Sequence, residues 1–322
     1  MPQKWLVGVD LGGTATKLGI TDDNGKMIHK WEIPTDVSNE GKNITGQIAY
    51  SIQQKLAETG LQKHDVKGIG IGAPGPADPE TGVISEAVNL GWKCEYSLKE
   101  ILEAETSLPV FVDNDANCAA LGEMWKGAGS GSKDLVCVTL GTGVGGGIIA
   151  NGQIVHGKNG AAGEIGHIIS VAAGGASCNC GKTGCLETIA SATGIVRLAY
   201  EQLAAQGQTG QLAGIHSKLG RLSAKDIFDS AKSNDTAAIT VIDTVSLHLG
   251  IALANIANTL NPEKIIVGGG VSMAGDILLD PLRKYFTMYS FPRVAQSSEV
   301  TLATLGNDAG VIGASWLVKN GF

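Results

Sequence analysis

No run of lysines or arginines occurs anywhere in this 322-residue sequence, and its formal net charge is -7. A nucleic acid or an anionic membrane as the main partner is disfavoured, because phosphate binding needs clustered basic side chains. Also missing is any basic segment leading into an apolar stretch at Met1 to Trp5, and no later apolar run nears the 18 or so residues of a membrane span. The expectation is a cytoplasmic protein. Charged residues are scarce at 17% while hydrophobic ones reach 43%, the reverse of a disordered chain. Six cysteines make too thin a disulfide framework for this length, and no low-complexity linker marks a boundary.

Glycine is abundant instead, with 46 residues, about twice the ordinary share of roughly 7%. Many close backbone approaches are implied. The length fits two domains of about 150 residues each, and an internal echo supports that division. Leu6-Val-Gly-Val-Asp-Leu-Gly-Gly, Gly19-Ile20 and Asn24-Gly-Lys-Met-Ile-His29 parallel Leu135-Val-Cys-Val-Thr-Leu-Gly-Thr, Ile148-Ile149 and Asn151-Gly-Gln-Ile-Val-His156. Each reads as strand, glycine turn, strand, Asn-Gly hairpin turn, strand. Such a duplicated unit means two related domains rather than a solenoid.

Beyond the first unit, the patterns predict a helix over 44–56, strands over 66–72 and 110–113, and a helix over 116–125. Further helices are predicted over 189–203, 224–231 and 237–260, then a strand over 264–267 and a last strand and helix within 300–318. The long helix should stop at Asn261-Pro262. Antiparallel openings followed by βα units, twice over, give an α/β protein of two domains whose ligands sit in the crevice at the strand ends. The expected division is 1–118 with a C-terminal return at about 302–322, against 119–301.

Asp10-Leu-Gly-Gly-Thr14-Ala-Thr-Lys17 lies between two predicted strands. Gly12 and Gly13 let the backbone turn sharply and present N–H groups to an anion, Thr14 and Lys17 add side-chain donors, and Asp10 is placed to hold a phosphate-bound metal. An ordinary glycine hairpin fits this motif alone equally well. Thr139-Leu-Gly-Thr-Gly-Val-Gly-Gly-Gly147 repeats the logic, so the two turns could grip one polyphosphate. Gly268-Gly-Gly270 after a strand either seats a nucleoside or is a plain strand-to-helix turn. Phe111-Val-Asp-Asn-Asp115-Ala-Asn117 runs from strand into helix, which suits Asp115 to accept the proton of an attacking hydroxyl and also suits Asp113 or Asn114 to cap the helix. Ala73-Pro-Gly-Pro76 is cleft lining or a plain turn. Trp92, among Gly and Asn, reads better as a loop anchor than as a platform for a sugar.

Glu164-Ile-Gly-His167 precedes Cys178-Asn-Cys180-Gly-Lys-Thr-Gly-Cys185-Leu-Glu187. Three thiols and an imidazole make a closed tetrahedral set for a structural zinc, leaving no position for a catalytic water. The metal would hold Glu164, His167 and Glu187 in one rigid patch suited to adjacent sugar hydroxyls. His29, His64, His156, His216 and His248 have no carboxylate or cysteine at useful spacing and carry no assigned role.

With these motifs in this order, the sequence resembles the ROK family over essentially its whole length, and the Gly-Ala-Pro-Gly-Pro and Leu-Gly-Thr-Gly-Val-Gly-Gly-Gly segments are similar to those of the family's Gram-positive glucokinases. The resemblance implies a two-domain actin-like ATPase (ribonuclease H-like) fold with an interdomain cleft, ATP with magnesium, a hexose, a structural zinc and a homodimer. It implies Asp115 as the base for the 6-hydroxyl of glucose, with Gly75, Asn114, Glu164, His167 and Glu187 on the sugar. Asp10, Gly12, Gly13, Thr14, Lys17, Thr142, Gly143, Gly269 and Gly270 are implied for nucleotide, phosphates and magnesium. His167 would serve sugar and zinc with one ring nitrogen each, beside Cys178, Cys180 and Cys185. Kinases for N-acetylmannosamine, N-acetylglucosamine, mannose or fructose share the motifs, as do polyphosphate-using relatives. The family's sugar-responsive repressors carry a helix-turn-helix, for which a first strand at about residue 4 leaves no room here. A filament-forming actin relative would need no sugar patch.

Overall fold

A computed structural model describes residues 4–206 and 209–321. Met1 to Gln3, used above in the reading of the N-terminus, and Phe322, at the end of the expected C-terminal return, lie outside the described residues. The chain divides into two compact units: Met1–Gly131 with Gly147–Gly163 and Leu305–Phe322, and Ser132–Gly146 with Glu164–Thr304.

Ten strands and eleven α-helices occur among the described residues. They run β1 (Trp5–Leu11), β2 (Ala15–Thr21), β3 (Met27–Pro34), α1 (Ile44–Thr59), β4 (Val66–Ala73), α2 (Leu98–Thr106), β5 (Val110–Asn114) and α3 (Asp115–Lys126). Then come β6 (Leu135–Leu140), β7 (Val144–Ala150), β8 (Gln153–Ile154), α4 (Glu187–Ala190), α5 (Ala192–Gln206), α6 (Gly210–Leu219), α7 (Ala224–Lys232) and α8 (Thr236–Leu260). β9 (Lys264–Gly268), α9 (Asp276–Tyr289), α10 (Pro292–Ser297), β10 (Glu299–Leu302) and α11 (Ala309–Asn320) complete the chain.

One sheet has the order β3-β2-β1-β4-β5 and the other β10-β9-β6-β7-β8. In the first, β1 is antiparallel to β2 but parallel to β4, and β4 is parallel to β5, which sets Asp10 beside Gly72 and Gly72 beside Asp113. Carboxylates read from distant motifs thus reach the C-terminal ends of neighbouring parallel strands, where α/β folds place ligands.

Both halves of the sequence echo are present as strand triplets, but their third members differ. β3 has eight residues and β8 only two. Asn151 and Gly152 both have positive φ, 53° and 78°, the left-handed pair of a two-residue hairpin turn. Around Gly25 the loop is longer, and Asp22 closes it by accepting from the N–H groups of Asn24 and Lys26.

Part of the abundance of glycine is explained by α11. A Cβ at Gly70 on β4 would lie 1.8 Å from the Ala314 carbonyl oxygen, and one at Gly313 would lie 1.7 Å from the Cys118 carbonyl oxygen on α3. Only residues without side chains let this helix rest its backbone directly on strand and helix alike. α11 therefore clamps β1, β4 and α3, the elements that carry Asp10 and Asp115.

The predicted helix over 189–203 is broken at Ser191, whose extended backbone separates α4 from α5. Asn261 ends α8 in the left-handed conformation at φ 48°, as the stop signal required. α2, α6, α9 and α10 were not foreseen. The absence of any apolar run long enough to span a membrane needs correction, since α8 has 25 residues and an 18-residue window of mean hydropathy 1.7. Of that window, 61% is buried, including Val241, Val245, Leu249 and Leu253. α8 packs against α5, α7 and α9 as the core helix of the second unit.

Candidate active site

In the first unit the glycine turn between β1 and β2 is narrow: the Gly12 N–H donates to the Ala15 carbonyl at 3.1 Å. Thr35 braces it from β3's end, its hydroxyl donating to the Gly12 carbonyl at 2.7 Å and its N–H to the Thr14 carbonyl at 3.0 Å. Asp10 and Lys17 face each other across the β1–β2 ladder, with their charged atoms 3.6 Å apart. Burial nevertheless pushes the Asp10 carboxyl above its ordinary range, with Lys17 opposing the shift. An added cation beside this carboxylate would restore its charged form, which fits the expected metal role.

β5 ends at Asn114, and α3 begins at Asp115. Asn114 has extended backbone, and its side-chain oxygen accepts from the N–H groups of Ala116 and Asn117 at 2.9 and 3.3 Å, making it the N-cap. Its amide nitrogen donates to the Gly75 carbonyl at 3.0 Å. Gly75 has φ 93°, and a Cβ there would lie 2.1 Å from the Glu86 carbonyl oxygen, so only glycine fits. Asp115 Oδ1 accepts from the Ala116 N–H at 2.8 Å. Asp115 is half-buried at the first turn of α3. Burial first, and then the charges of Asp113, Asp10 and Asp115, push the thiol of the fully buried Cys118 well above its usual range. Asp113 is no cap but a buried group bonded to Asn117 and to His156. Trp92 is buried and stacked on Tyr96 at 4.0 Å, so it anchors the loop.

In the second unit Gly141-Thr142-Gly143 forms the turn between β6 and β7. The Gly141 carbonyl accepts from Ala192 N–H at 2.8 Å and the Thr142 carbonyl from the Thr193 hydroxyl at 3.1 Å, both at the start of α5. Gly268 is paired with Thr139, and a Cβ at Gly269 would lie 2.5 Å from the Leu140 carbonyl oxygen. Gly269 therefore abuts the end of β6 just before that turn, whereas a Cβ at Gly270 would meet open space. Glu187 Oε2 accepts from Val144 N–H at 3.0 Å, while its Oε1 lies 3.7 Å from Cys178 Sγ.

The thiols and the imidazole converge as the sequence required. Ligand atoms of His167, Cys178, Cys180 and Cys185 all lie within 4.8 Å of one another. Cys178 Sγ is 3.7 Å from His167 Nδ1, and Cys180 Sγ is 3.6 Å from Cys185 Sγ. Zinc–sulfur bonds of about 2.3 Å in a tetrahedron give edges of roughly 3.8 Å, so the set fits that ion. Burial pushes the Cys178 thiol up to about 12, whereas the Lys182 N–H lowers that of the exposed Cys180. His167 Nε2 points the other way, 3.8 Å from Glu164 Oε2.

Each unit thus brings its own expected residues together: Asp10, the Gly12–Lys17 turn, Gly75, Asn114 and Asp115 in one; Thr142, Gly143, Glu164, His167, Glu187, Gly269, Gly270 and the three cysteines in the other. His156 was missed. It stands 43 residues from its partner Asp113, so no local spacing could reveal the pair.

The model of the ROK family matches residues 6–321. The chain belongs to the ROK family. A glucokinase of Halalkalibacterium halodurans is 56% identical over 99% of this chain and 96% of that protein. A glucokinase of Thermotoga maritima is 38% identical over 99% of this chain and 98% of that one. The crystal structure of a Streptomyces griseus ROK family glucokinase in complex with glucose and AMPPNP is 35% identical, with TM-score 0.80, covering 98% of this chain and 99% of that one. The fold is accordingly the α/β two-sheet fold of the ROK sugar kinases, of the actin-like ATPase class.

Proposed function

We propose that this ROK protein is a glucokinase, transferring the γ-phosphoryl group of ATP to the 6-hydroxyl of glucose. The observation that carries the chemistry is the β5–α3 junction, where Asn114 is fixed to Gly75 and Asp115 opens the helix at the end of a parallel strand. The 6-hydroxyl gives its proton to Asp115, its oxygen attacks the γ-phosphorus, and ADP departs. Full-length similarity to glucokinases supports glucose over other hexoses.

Asn114, Glu164, His167 and Glu187 bind sugar hydroxyls, with the Gly75 carbonyl fixing Asn114. Backbone N–H groups of the Gly12–Gly13 and Thr142–Gly143 turns, with Thr14 and Lys17, take the phosphates, while Gly269 and Gly270 let the nucleoside approach. Asp10 would hold a magnesium ion, which neutralises charge on the transferred group. Cys178, Cys180, Cys185 and His167 Nδ1 would hold a structural zinc, leaving Nε2 for the sugar. A homodimer in the cytoplasm, where it opens glucose breakdown, completes the reading.

ADP release from MgATP is measured against glucose, mannose, fructose, N-acetylglucosamine and N-acetylmannosamine, with a no-sugar control. Release with glucose well above the rest is expected. Preference for another sugar would keep the kinase and correct the substrate, and sugar-independent release would overturn the reading.

A further inference from the structure

The side chains of the buried Asp113 and the partly buried His156 form a pair outside every role assigned so far. Asp113 follows the core residue Val112 on β5, and its side chain is only 2% exposed. Its Oδ2 lies 2.8 Å from His156 Nε2, and its Oδ1 accepts from Asn117 Nδ2 at 2.8 Å and from the Asn114 N–H at 2.7 Å. The carboxylate is therefore tied to the strand end, the first turn of α3 and one imidazole. His156 sits just past β8, and its carbonyl accepts from the Ala162 N–H at 3.1 Å, so the ring is anchored by its own loop. Its side chain is 16% exposed.

The pair has a chemical logic. A carboxylate taken from water needs a donor for each oxygen, and here, among the described residues, one oxygen is served by α3 and its cap residue and the other by His156. The charged groups facing the imidazole are Asp113 and, farther out, Asp78, and the bond to Asp113 raises its affinity for a proton. Removing the imidazole leaves Oδ2 unsatisfied in the core, and the carboxylate then turns toward other donors. Its bonds to Asn117 and Asn114 N–H, which define the direction of the first turn of α3, loosen together.

We infer that His156 is a positioning residue for phosphoryl transfer: acting through Asp113, it fixes the turn of α3 that presents the Asp115 carboxylate to the sugar hydroxyl. This rests on the reading of Asp115 as the base. Asn114 keeps an independent tether to the Gly75 carbonyl. The loss on removing His156 falls on turnover rather than on sugar binding.

The test compares His156→Leu, which fills the space without a donor, with His156→Gln, which restores an N–H donor. Initial rates over glucose concentration give kcat and KM, and melting temperatures are recorded alongside. The expected result is a kcat about 10- to 100-fold lower in His156→Leu with a glucose KM within about threefold, and recovery to within about threefold of wild type in His156→Gln. Wild-type kcat in His156→Leu, an equal loss in both variants, or a rise in KM without loss of kcat each overturns the inference. Asp115→Ala is run in parallel. Near-wild-type turnover in that variant sinks the base assignment and the positioning role with it, whereas an inactive Asp115→Ala beside a fully active His156→Leu sinks the positioning role alone.

Discussion

Glu187 Oε2 accepts the backbone N–H of Val144 at 3.0 Å, across 43 residues of sequence. The carboxylate thereby closes the second glycine turn, and a Cβ at Gly143 would lie only 2.4 Å from that oxygen. A residue assigned to the sugar also shapes the loop assigned to phosphate. Glu187→Ala should raise the KM for both glucose and ATP, because the turn loses its brace as well as the sugar its acceptor. Glu187→Gln keeps an oxygen for the Val144 N–H and should affect glucose more than ATP. Equal effects of the two variants on the ATP KM would show that the brace is dispensable. Gly143→Ala should reproduce the ATP defect by pushing the carboxylate aside.

Asp115→Ala is expected to retain glucose binding, measured by calorimetry, while losing about 10²- to 10⁴-fold in kcat, the usual worth of a positioned base. The helix should survive, since its cap is Asn114 rather than Asp115. Asn114→Ala is the contrasting variant: it removes the cap, at about 1 kcal/mol of stability, and the tether to Gly75. Its glucose KM should rise as well.

The metal assignment predicts about one zinc per chain by elemental analysis. Ligation requires thiolates, and a Cys178 thiol pushed up to about 12 releases its proton to water when a cation takes its place on the sulfur. Falling pH should therefore release zinc. Chelation should lower the melting temperature and raise the glucose KM, because His167 and Glu187 lose their common anchor. Cys185→Ser should do the same without chelator. A zinc-free preparation with unchanged stability and kinetics would remove the metal from the account.

Much of this was legible before any coordinates. The convergence of the three cysteines and His167 was readable because the cysteines lie within eight residues and a shared centre would bring them together. Asn114 and Asp115 were readable because strand and helix patterns met there. Two roles were harder to separate: Asp113 and Asn114 were both candidate caps, and tertiary burial gave Asp113 to the core. The Asp113–His156 pair was invisible, since it depends on where the short β8 delivers its following loop. The clamp by α11 was equally hidden, because close backbone approach depends on which glycines face which helix. α9 carries Pro281 in its second turn, which interrupts a helical pattern in the sequence without ending the helix.

Asp10 gives a prediction in which stability and activity move in opposite directions. Burial raises its carboxyl, so the folded chain binds that proton more tightly than the unfolded chain does. Stability from this group is greatest below the ordinary value of 3.8 and declines as pH rises through the raised one. At neutral pH the charged form is a cost of folding, partly offset by Lys17 at 3.6 Å. Asp10→Asn should therefore melt at a temperature equal to or above wild type without ligands, while its turnover collapses for want of a carboxylate for magnesium. In the wild type, the KM for MgATP should begin to rise on acidification at a higher pH than an ordinary aspartate would give. Lys17→Met should move that limb higher still, because the cation opposing the shift is gone. If Lys17→Met instead left the acid limb in place, with only the ATP KM raised uniformly across pH, Lys17 would act on phosphate alone, and the limb would belong to another group.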